Sequence, residues 1–358
     1  MRKWNVCVLF GGISPEHEVS LRSAESVLNH MDTDKYKIFP VCITKEGNWI
    51  LYGGTDYATL PTGQWQQHPD NCPAMISPVR GEGLICFTGE KILREHIDVV
   101  FPVLHGENGE DGAMQGLMQM AGIPCVGPRV AASAVAMDKT LTKLVVDHAG
   151  VTQAAWLLVR RQDLQKDITD VLCAVEDKFS YPVFIKPAGT GSSVGVSKAA
   201  NRKELADALI LAGKYDEKIL VEEFIDGREV EIAVLGNDSP VASVVGEIDS
   251  GAEFYDYDAK YINDTSVAYI PARIPETVAE QLREMAVRVY RAVGCRGLSR
   301  VDFFVTYEGS RLVFNEINTL PGFTSISMYP KLFAASGIAY EDLIDQLLQL
   351  AMEDRYGQ

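Results

Sequence analysis

The chain carries little positive charge for its size. Across 358 residues, 33 Lys and Arg face 49 Asp and Glu, which leaves a formal net charge of −16. Proteins that bind nucleic acids or anionic membrane surfaces usually present a basic patch or stripe. We therefore expect neither a nucleic-acid partner nor a membrane partner, although a few local cations could still hold an anionic substrate.

Long apolar runs are also missing. No stretch approaches the roughly 18 uncharged apolar residues that a membrane-spanning helix requires. The N-terminal stretch MRKWNVCVLFGG contains an apolar run that is too short for a signal sequence. The seven cysteines are scattered and never spaced as C-x-x-C, which is typical of reduced thiols rather than of a disulfide framework or a zinc site. These features predict a cytoplasmic protein.

Histidine is absent beyond residue 148, and this absence excludes one enzyme class. The stretch GSSVG around Ser193 matches the G-x-S-x-G nucleophile elbow of serine hydrolases, which require an acid and then a histidine later in the chain. All six histidines precede Ser193. The same glycine-rich stretch is not a Walker A loop either, because no Lys-Ser or Lys-Thr follows at the required spacing.

What is present near the N-terminus is a parallel α/β pattern. Apolar runs predict buried strands at residues 4–12, 36–44 and 97–106, with a helix at residues 14–31. The order strand, glycine turn, helix, strand predicts a parallel sheet with covering helices. Ligands of such sheets bind beyond the carboxyl ends of the strands, and His105 lies at such an end.

The start of that helix is predicted from its capping residues. Ser14 suits the N-cap and Pro15 the first helical position. Glu16 and Glu18 then fall in the first turn, where negative charge is favourable.

Two further units of mixed helices and strands follow, at residues 129–221 and 222–358. Within the last unit, residues 249–266 are polar, aromatic and poor in periodicity. Loops of that length inside a compact domain are usually functional.

A late hairpin, SRVDFFVTYEGSRLVFNEIN, concentrates polar residues at its open end. If its loop has an odd number of residues centred on Gly309, Asp302 faces Glu316 and Arg300 faces Asn318, all on one face of the sheet. An even loop would separate these pairs. Two carboxylates and an amide oxygen suit Mg²⁺. The alternative is a structural ion pair between Asp302 and Arg300, with Glu316 in water.

A glycine-rich loop, FIKPAGTGSSVGVSK, follows a strand that ends in Lys186. Its backbone N–H groups and the lysine together predict an anion site. The alternative is an ordinary glycine turn.

Acidic residues cluster in the stretch ILVEEFIDGREVEIAVLG, around a turn between two apolar strands. They are Glu222, Glu223, Glu229 and Glu231. Considered alone, they are best interpreted as solvated residues on a sheet edge.

Eight stretches, taken in order, carry a resemblance over nearly the whole chain. They are FGGISPEHEVS, HGENGEDGAMQG, AMDKTLTK, YPVFIKPAGTGSSVGVSK, VEEFIDGREVE, EFYDYDAKY, GLSRVDFF and NEINTLPGFTSISMYP. Together they resemble the D-alanine–D-alanine ligase family of the ATP-grasp superfamily. The resemblance implies an ATP-dependent ligase that makes D-alanyl-D-alanine through a D-alanyl phosphate, for peptidoglycan synthesis.

The resemblance also implies an α/β (α+β mixed) ATP-grasp fold in three parts. Residues 1–128 would form an N-terminal, parallel-sheet, substrate-binding domain. Residues 129–221 would form a central ATP-grasp subdomain with the phosphate loop. Residues 222–358 would form a C-terminal subdomain with a lid at residues 250–267 and the magnesium site.

Site residues are implied in the same way. The ATP-binding residues would be Lys139, Lys186, Glu222, Glu223, Ile225, Glu229 and Phe254, of which the two lysines hold phosphates. The ligands of two Mg²⁺ (or Mn²⁺) ions would be Asp302, Glu316 and Asn318. The catalytic residues would be Glu16, Ser192, Tyr261, Arg300 and Gly322. The residues that hold the two D-alanine molecules would be His105, Lys260, Ser327 and Met328.

The resemblance implies one of several second substrates, since related resistance ligases use D-lactate or D-serine in place of D-alanine. The lactate-forming ligases lack the Lys260-Tyr261 pair that this chain retains. Resistance ligases that resemble this chain tend to carry arginine at the position of Met328. Both features favour D-alanine. The family also implies a homodimer. The alternatives are another ATP-grasp ligase or a non-catalytic nucleotide-binding module.

Overall fold

The computed structural model describes residues 2–191, 194–249 and 267–353. Its first sheet has the order β6-β5-β4-β3-β2-β1-β7. The strands are β1 (Trp4–Gly11), β2 (Tyr36–Ile43), β3 (Trp49–Leu51), β4 (Cys72–Ile76), β5 (Leu84–Thr88), β6 (Lys91–Glu95) and β7 (Val99–Leu104). β1 is parallel to β2 and β7, as the three apolar runs predict, whereas β3 to β6 add an antiparallel extension. The sheet is therefore mixed.

Helices cover all three sheets. They are α1 (His17–His30), α2 (Ala113–Ala121), α3 (Val130–Met137), α4 (Lys139–His148), α5 (Arg161–Lys178), α6 (Arg202–Tyr215), α7 (Glu276–Val293), α8 (Met328–Ala335) and α9 (Tyr340–Glu353). Short 3-10 helices occupy Tyr57–Thr59 and Gln64–Gln67.

The predicted start of α1 is wrong by two residues. The helix begins at His17, and Glu16 occupies the N-cap without a side-chain cap. Ser14 instead donates a hydrogen bond to the carbonyl oxygen of His105, at 2.7 Å. The serine therefore joins the loop after β1 to the loop after β7, and this contact between distant residues replaces the expected cap.

The second sheet is antiparallel and has the order β10-β9-β11-β8. Its strands are β8 (Trp156–Arg160), β9 (Val183–Pro187), β10 (Ser197–Ala199) and β11 (Lys218–Glu223). Helices α5 and α6 bury their apolar faces against it. β11 is an inner strand, so the interpretation of Glu222 and Glu223 as edge residues is wrong.

The third sheet is also antiparallel, with the order β14-β13-β12-β15-β16. Its strands are β12 (Gly227–Leu235), β13 (Val241–Asp249), β14 (Val267–Tyr269), β15 (Leu298–Thr306) and β16 (Leu312–Asn318). β12 is likewise an inner strand, which removes Glu229 and Glu231 from the sheet edge. Helix α7 packs on one face of the sheet.

One apolar core joins the third sheet to the first. It contains residues of α8 and α9 together with residues of β1, β7 and β12. Phe323, which follows β16, makes an edge-to-face contact with Phe101 of β7 at a centroid distance of 5.8 Å. The segment after the late hairpin is thereby held against the carboxyl end of the parallel strands. The limits 1–128, 129–221 and 222–358 remain a prediction.

Candidate active site

A cavity of about 880 Å³ lies between the second and third sheets. Its volume lies in the range of small-molecule and cofactor sites. The predicted site residues that line it are Lys139, Lys186, Glu222, Glu223, Ile225, Glu229, Glu316 and Asn318. The fold therefore brings together residues that are up to 179 positions apart in the chain (139 and 318).

The hairpin of β15 and β16 has the predicted pairing, but not the odd loop on which that prediction depended. Asp302 faces Glu316 and Arg300 faces Asn318, as expected. The loop, however, is even: Thr306 pairs with Arg311 around residues 307–310. The register shifts by one residue between Asp302 and Phe303, which faces Phe314. Asn315 is the extra residue of this β-bulge, and the bulge restores the pairing that an even loop alone would have broken.

Arg300 and Asp302 form a bidentate ion pair, in which Asp302 is buried and Arg300 is partly exposed. Arg300 Nε and Nη2 donate to the two oxygens of Asp302 at 2.8 Å and 2.7 Å. Nε of Arg300 also lies 3.2 Å from Oε2 of Glu231, a contact that the sequence did not predict. Burial lowers the pKa of Arg300, but the two carboxylates outweigh it and raise the pKa well above its usual value. The ion pair between Asp302 and Arg300 that was expected as the alternative to a magnesium site is therefore present. It does not exclude magnesium binding by the hairpin.

The hairpin residues fit a metal ion that is shared with phosphate groups. Asn318 Nδ2 donates to Asp302 at 3.0 Å, and Glu316 lines the cavity beside it. Within residues 2–191, 194–249 and 267–353, no three His, Cys, Asp or Glu side chains form a metal cage. Mg²⁺ commonly takes one or two carboxylates and completes its shell with water and substrate phosphates. The donor set here has that composition.

The two predicted phosphate lysines lie on the opposite wall. Lys139 begins α4, and its Nζ donates to the carbonyl oxygen of Thr190 in the glycine-rich loop, at 2.7 Å. Lys186 is the penultimate residue of β9 and contacts Asn315 Oδ1 across the cavity at 3.4 Å. The negative charge of Glu316 is one of the influences that raise the pKa of Lys186 against the effect of burial.

Glu222 lies below these lysines and is 4 % exposed. It forms ion pairs with Lys186 and with Lys143, a residue of α4 that the sequence did not single out. Burial raises the pKa of Glu222, but the two lysines outweigh it and lower the pKa to about 2. Both oxygens of the Glu222 carboxylate are therefore paired with lysines. Glu223 accepts hydrogen bonds from the backbone N–H of Ala155 and from Arg311.

At the end of the cavity beside the first sheet, His105 directly follows β7, in the same loop as the lining residue Glu110. Its Nδ1 lies 3.1 Å from the carbonyl oxygen of Leu320, and its Nε2 lies 3.3 Å from the hydroxyl of Ser23. Burial lowers the pKa of His105, against the opposing charge of Glu16. Both ring nitrogens thus contact protein groups, so His105 connects the first sheet to the segment after β16.

Glu110 is a second acid at this end, half-buried and lining the cavity, and the sequence did not assign it a role. Its carboxylate accepts hydrogen bonds from the backbone N–H of Gly106 at 2.9 Å and of Leu320 at 3.3 Å. Burial and the nearby charge of Glu16 raise its pKa to about 8. Its position inside HGENGEDG was the available signal, because a carboxylate between glycines after a parallel strand lies at the ligand-binding edge.

The segment after β16 carries the remaining predicted residues. A Cβ at Gly322 would lie 2.9 Å from Oγ of Ser327, so a side chain there would displace the serine. Ser327 Oγ accepts the N–H of Thr324, and Met328 is buried. The predicted residues Ser192, Phe254, Lys260 and Tyr261 lie outside the described residues, as does the predicted lid except Val267.

Comparison with family models shows to which protein family the chain belongs. A family model described as "D-ala D-ala ligase N-terminus" matches residues 5–128, and one described as "D-ala D-ala ligase C-terminus" matches residues 145–349. The chain belongs to the D-alanine–D-alanine ligase family. Membership confirms the predicted family and the predicted enzyme class, an ATP-dependent ligase.

Individual members of the family match over almost their full length. A D-alanine–D-alanine ligase of Acetivibrio thermocellus is 50% identical and covers 98% of this chain and 96% of its own. One from Clostridium acetobutylicum is 47% identical, covering 98% of each chain. These similarities extend across all three sheets.

Solved structures of ligases confirm the ATP-grasp fold. The D-Ala:D-Ser ligase of Enterococcus faecalis superimposes with a TM-score of 0.88 at 39% identity, over 98% of this chain and 100% of that one. The D-alanine–D-alanine ligase of Coxiella burnetii gives 0.84 at 34% identity, over 98% and 96%. Within the part of the chain that the structure describes, none of the helices has the length and apolar composition to cross a membrane.

Proposed function

We propose that the protein is a cytoplasmic ligase that joins two D-alanine molecules at the expense of ATP, for peptidoglycan precursor synthesis. The observation that carries the proposal is the cavity in which Lys139 and Lys186 face Glu316 and Asn318 of the late hairpin. The identity of about 50% to ligases of that name supports the choice of D-alanine.

The chemistry follows from the charges that must meet. An oxygen of the first D-alanine carboxylate attacks the γ-phosphorus, ADP leaves, and a D-alanyl phosphate forms. Lys139 and Lys186 offset the repulsion between these anions, and positioning supplies much of the remaining acceleration. Magnesium ions held by Asp302, Glu316 and Asn318 would neutralise further phosphate charge.

The second step takes place beside the first sheet. The neutral amine of the second D-alanine attacks the acyl carbon, phosphate leaves, and the amine gives up a proton. We assign Arg300 and the backbone N–H of Gly322 to the negative charge on the tetrahedral intermediate. Glu16 would hold the ammonium group of the first D-alanine near His105. A lid at residues 250–267 would exclude water from the acyl phosphate.

The remaining assignments concern the second D-alanine. Lys260 and Ser327 would hold its carboxylate, with Met328 beside them. Ser192 and Tyr261 would join Glu16 in a hydrogen-bonded link. Phe254 would pack near the adenine. A homodimer is proposed from the family, and sedimentation analysis tests it.

A coupled assay of ADP release tests the function. With ATP and Mg²⁺, we expect release that requires D-alanine and a product that is D-alanyl-D-alanine by mass. Absence of D-alanine-dependent release would refute the proposal. The similarity to a D-Ala:D-Ser ligase makes D-serine the relevant competitor. A mixed product that dominates when both amino acids are present would reassign the second substrate.

A further inference from the structure

Lys143 is a fully buried lysine directly behind the nucleotide cavity. It lies on α4, one helical turn after Lys139, and is only 2 % exposed. Residues four apart share a helix face, so the helix directs both lysines toward the second sheet. Lys139 lines the cavity, whereas Lys143 lies behind the cavity wall.

Three charged side chains form a chain across that wall. Nζ of Lys143 pairs with Oε1 of Glu222. The other oxygen of Glu222 pairs with Nζ of Lys186 at 2.7 Å. Two lysines thus share one carboxylate. Since Glu222 stays ionised at neutral pH, the three groups together carry a net charge of one positive unit.

The net charge of these three groups determines how strongly Lys186 attracts a phosphate. If Lys143 were neutral, the carboxylate of Glu222 would be balanced by Lys186 alone, and the net charge of the group would be zero. Lys143 and Glu222 are buried and the side chain of Lys186 is only 17 % exposed, so water and salt screen the change weakly.

We propose that Lys143 is a positioning residue for the nucleotide: by engaging one oxygen of Glu222, it leaves Lys186 with positive charge that Glu222 does not cancel and that is directed at the phosphates. Lys143 itself touches no phosphate. The proposal rests on the proposed ATP-dependent function and adds a residue that acts through Glu222 and Lys186.

Nucleotide titrations by calorimetry test this role, with ATP, ADP and adenosine as probes. In Lys143→Met, we expect the affinity for ATP and ADP to fall by about tenfold, as loss of roughly one effective charge–phosphate interaction implies. The affinity for adenosine should change by less than about threefold, because adenosine carries no phosphate charge. In turnover assays, KM for ATP should rise more than kcat falls.

A compensating variant separates charge balance from packing. Lys143→Met combined with Glu222→Gln removes one positive and one negative charge, so the net charge returns to one positive unit. The ratio of ATP affinity to adenosine affinity should therefore recover most of its wild-type value. Lys35→Met, which removes a lysine paired with Asp345 far from the cavity, is the matched control and should leave the ratio unchanged.

Folding of the variants does not limit the test. Lys143→Gln keeps a hydrogen-bond donor for Glu222 but removes the charge, and it should lower the affinity ratio as Lys143→Met does. Equal weakening of ATP and adenosine, or a double variant no better than Lys143→Met, would overturn the proposal. If the wild-type protein neither binds ATP nor releases ADP, the proposed function itself is wrong, and that result is distinct from an unchanged ratio.

Discussion

Burial has opposite consequences at the two ends of the candidate site. Beside the first sheet, burial raises the pKa of Glu110 to about 8 and lowers the pKa of His105, which favours the uncharged forms. Between the second and third sheets, Glu222 and Arg300 are also largely enclosed, yet their charged forms are favoured. The difference lies in the partners, because opposite charges in direct contact outweigh desolvation.

This contrast matches what each end must do. In the proposed reaction the charged end would face phosphates, which are best offset by fixed cations and carboxylate-bound metal. The end beside the first sheet is held together by hydrogen bonds to backbone groups, such as those of His105 and Glu110 to Leu320. Such bonds position the segment between Asn318 and Gly322 without adding a field that would perturb an amino-acid substrate.

The largest effect is expected from Arg300→Ala. Loss of the cation beside the acyl centre should lower kcat by about 100-fold or more, the range seen when a donor to a developing oxyanion is removed. Nucleotide should still bind, since Lys139 and Lys186 are retained. ADP-release kinetics and nucleotide titration measure the two properties.

Arg300→Lys is the control for charge at this position. It keeps the positive charge but loses the fork that contacts both oxygens of Asp302. We expect an intermediate kcat. Normal turnover in Arg300→Ala would contradict the role in catalysis.

Two matched substitutions, one at each end of the site, should lower the free energy of unfolding by different amounts. Glu222→Gln leaves Lys143 and Lys186 buried without a countercharge, so the free energy of unfolding should fall by about 3 kcal/mol. Glu110→Gln replaces a carboxyl group that is largely protonated at pH 7, so the loss should be about 1 kcal/mol, from imperfect hydrogen bonding. Urea denaturation at pH 7 measures both values, and equal losses would contradict the contrast.

The smallest effect is a pH dependence caused by Glu110. Its pKa is raised from 4.5 to about 8 in the folded protein. Between these two values the folded state binds more protons than the unfolded state, so the free energy of unfolding falls as pH rises. Glu110→Gln cannot titrate and should lack this contribution. Denaturation of both proteins from pH 5 to 8 tests the sign, and parallel curves would show that Glu110 is ionised throughout.

The sequence predicted more of the residues in the site than of the contacts between them. The pairing of Asp302 with Glu316 was correct, but the odd loop assumed for it was wrong, because a bulge at Asn315 leaves no recognisable mark in the sequence. Ser14 has the residue type of an N-cap, yet it bonds to His105, which is 91 positions away. Lys143 resembles the many solvated lysines of amphipathic helices, so its burial could not be foreseen.

The sequence by itself determined the family, the parallel strands β1, β2 and β7, and many of the residues that line the candidate cavity, because motifs and periodicity are properties of neighbouring residues. Only the tertiary structure decided which charged side chains contact each other and which ionisable groups become neutral. Lys143 with Glu222, and Glu110 with the backbone of Leu320, are contacts between distant positions. Whether a buried group stays ionised depends on such contacts, since the cost of desolvation is offset only by the particular partner that the fold places beside it.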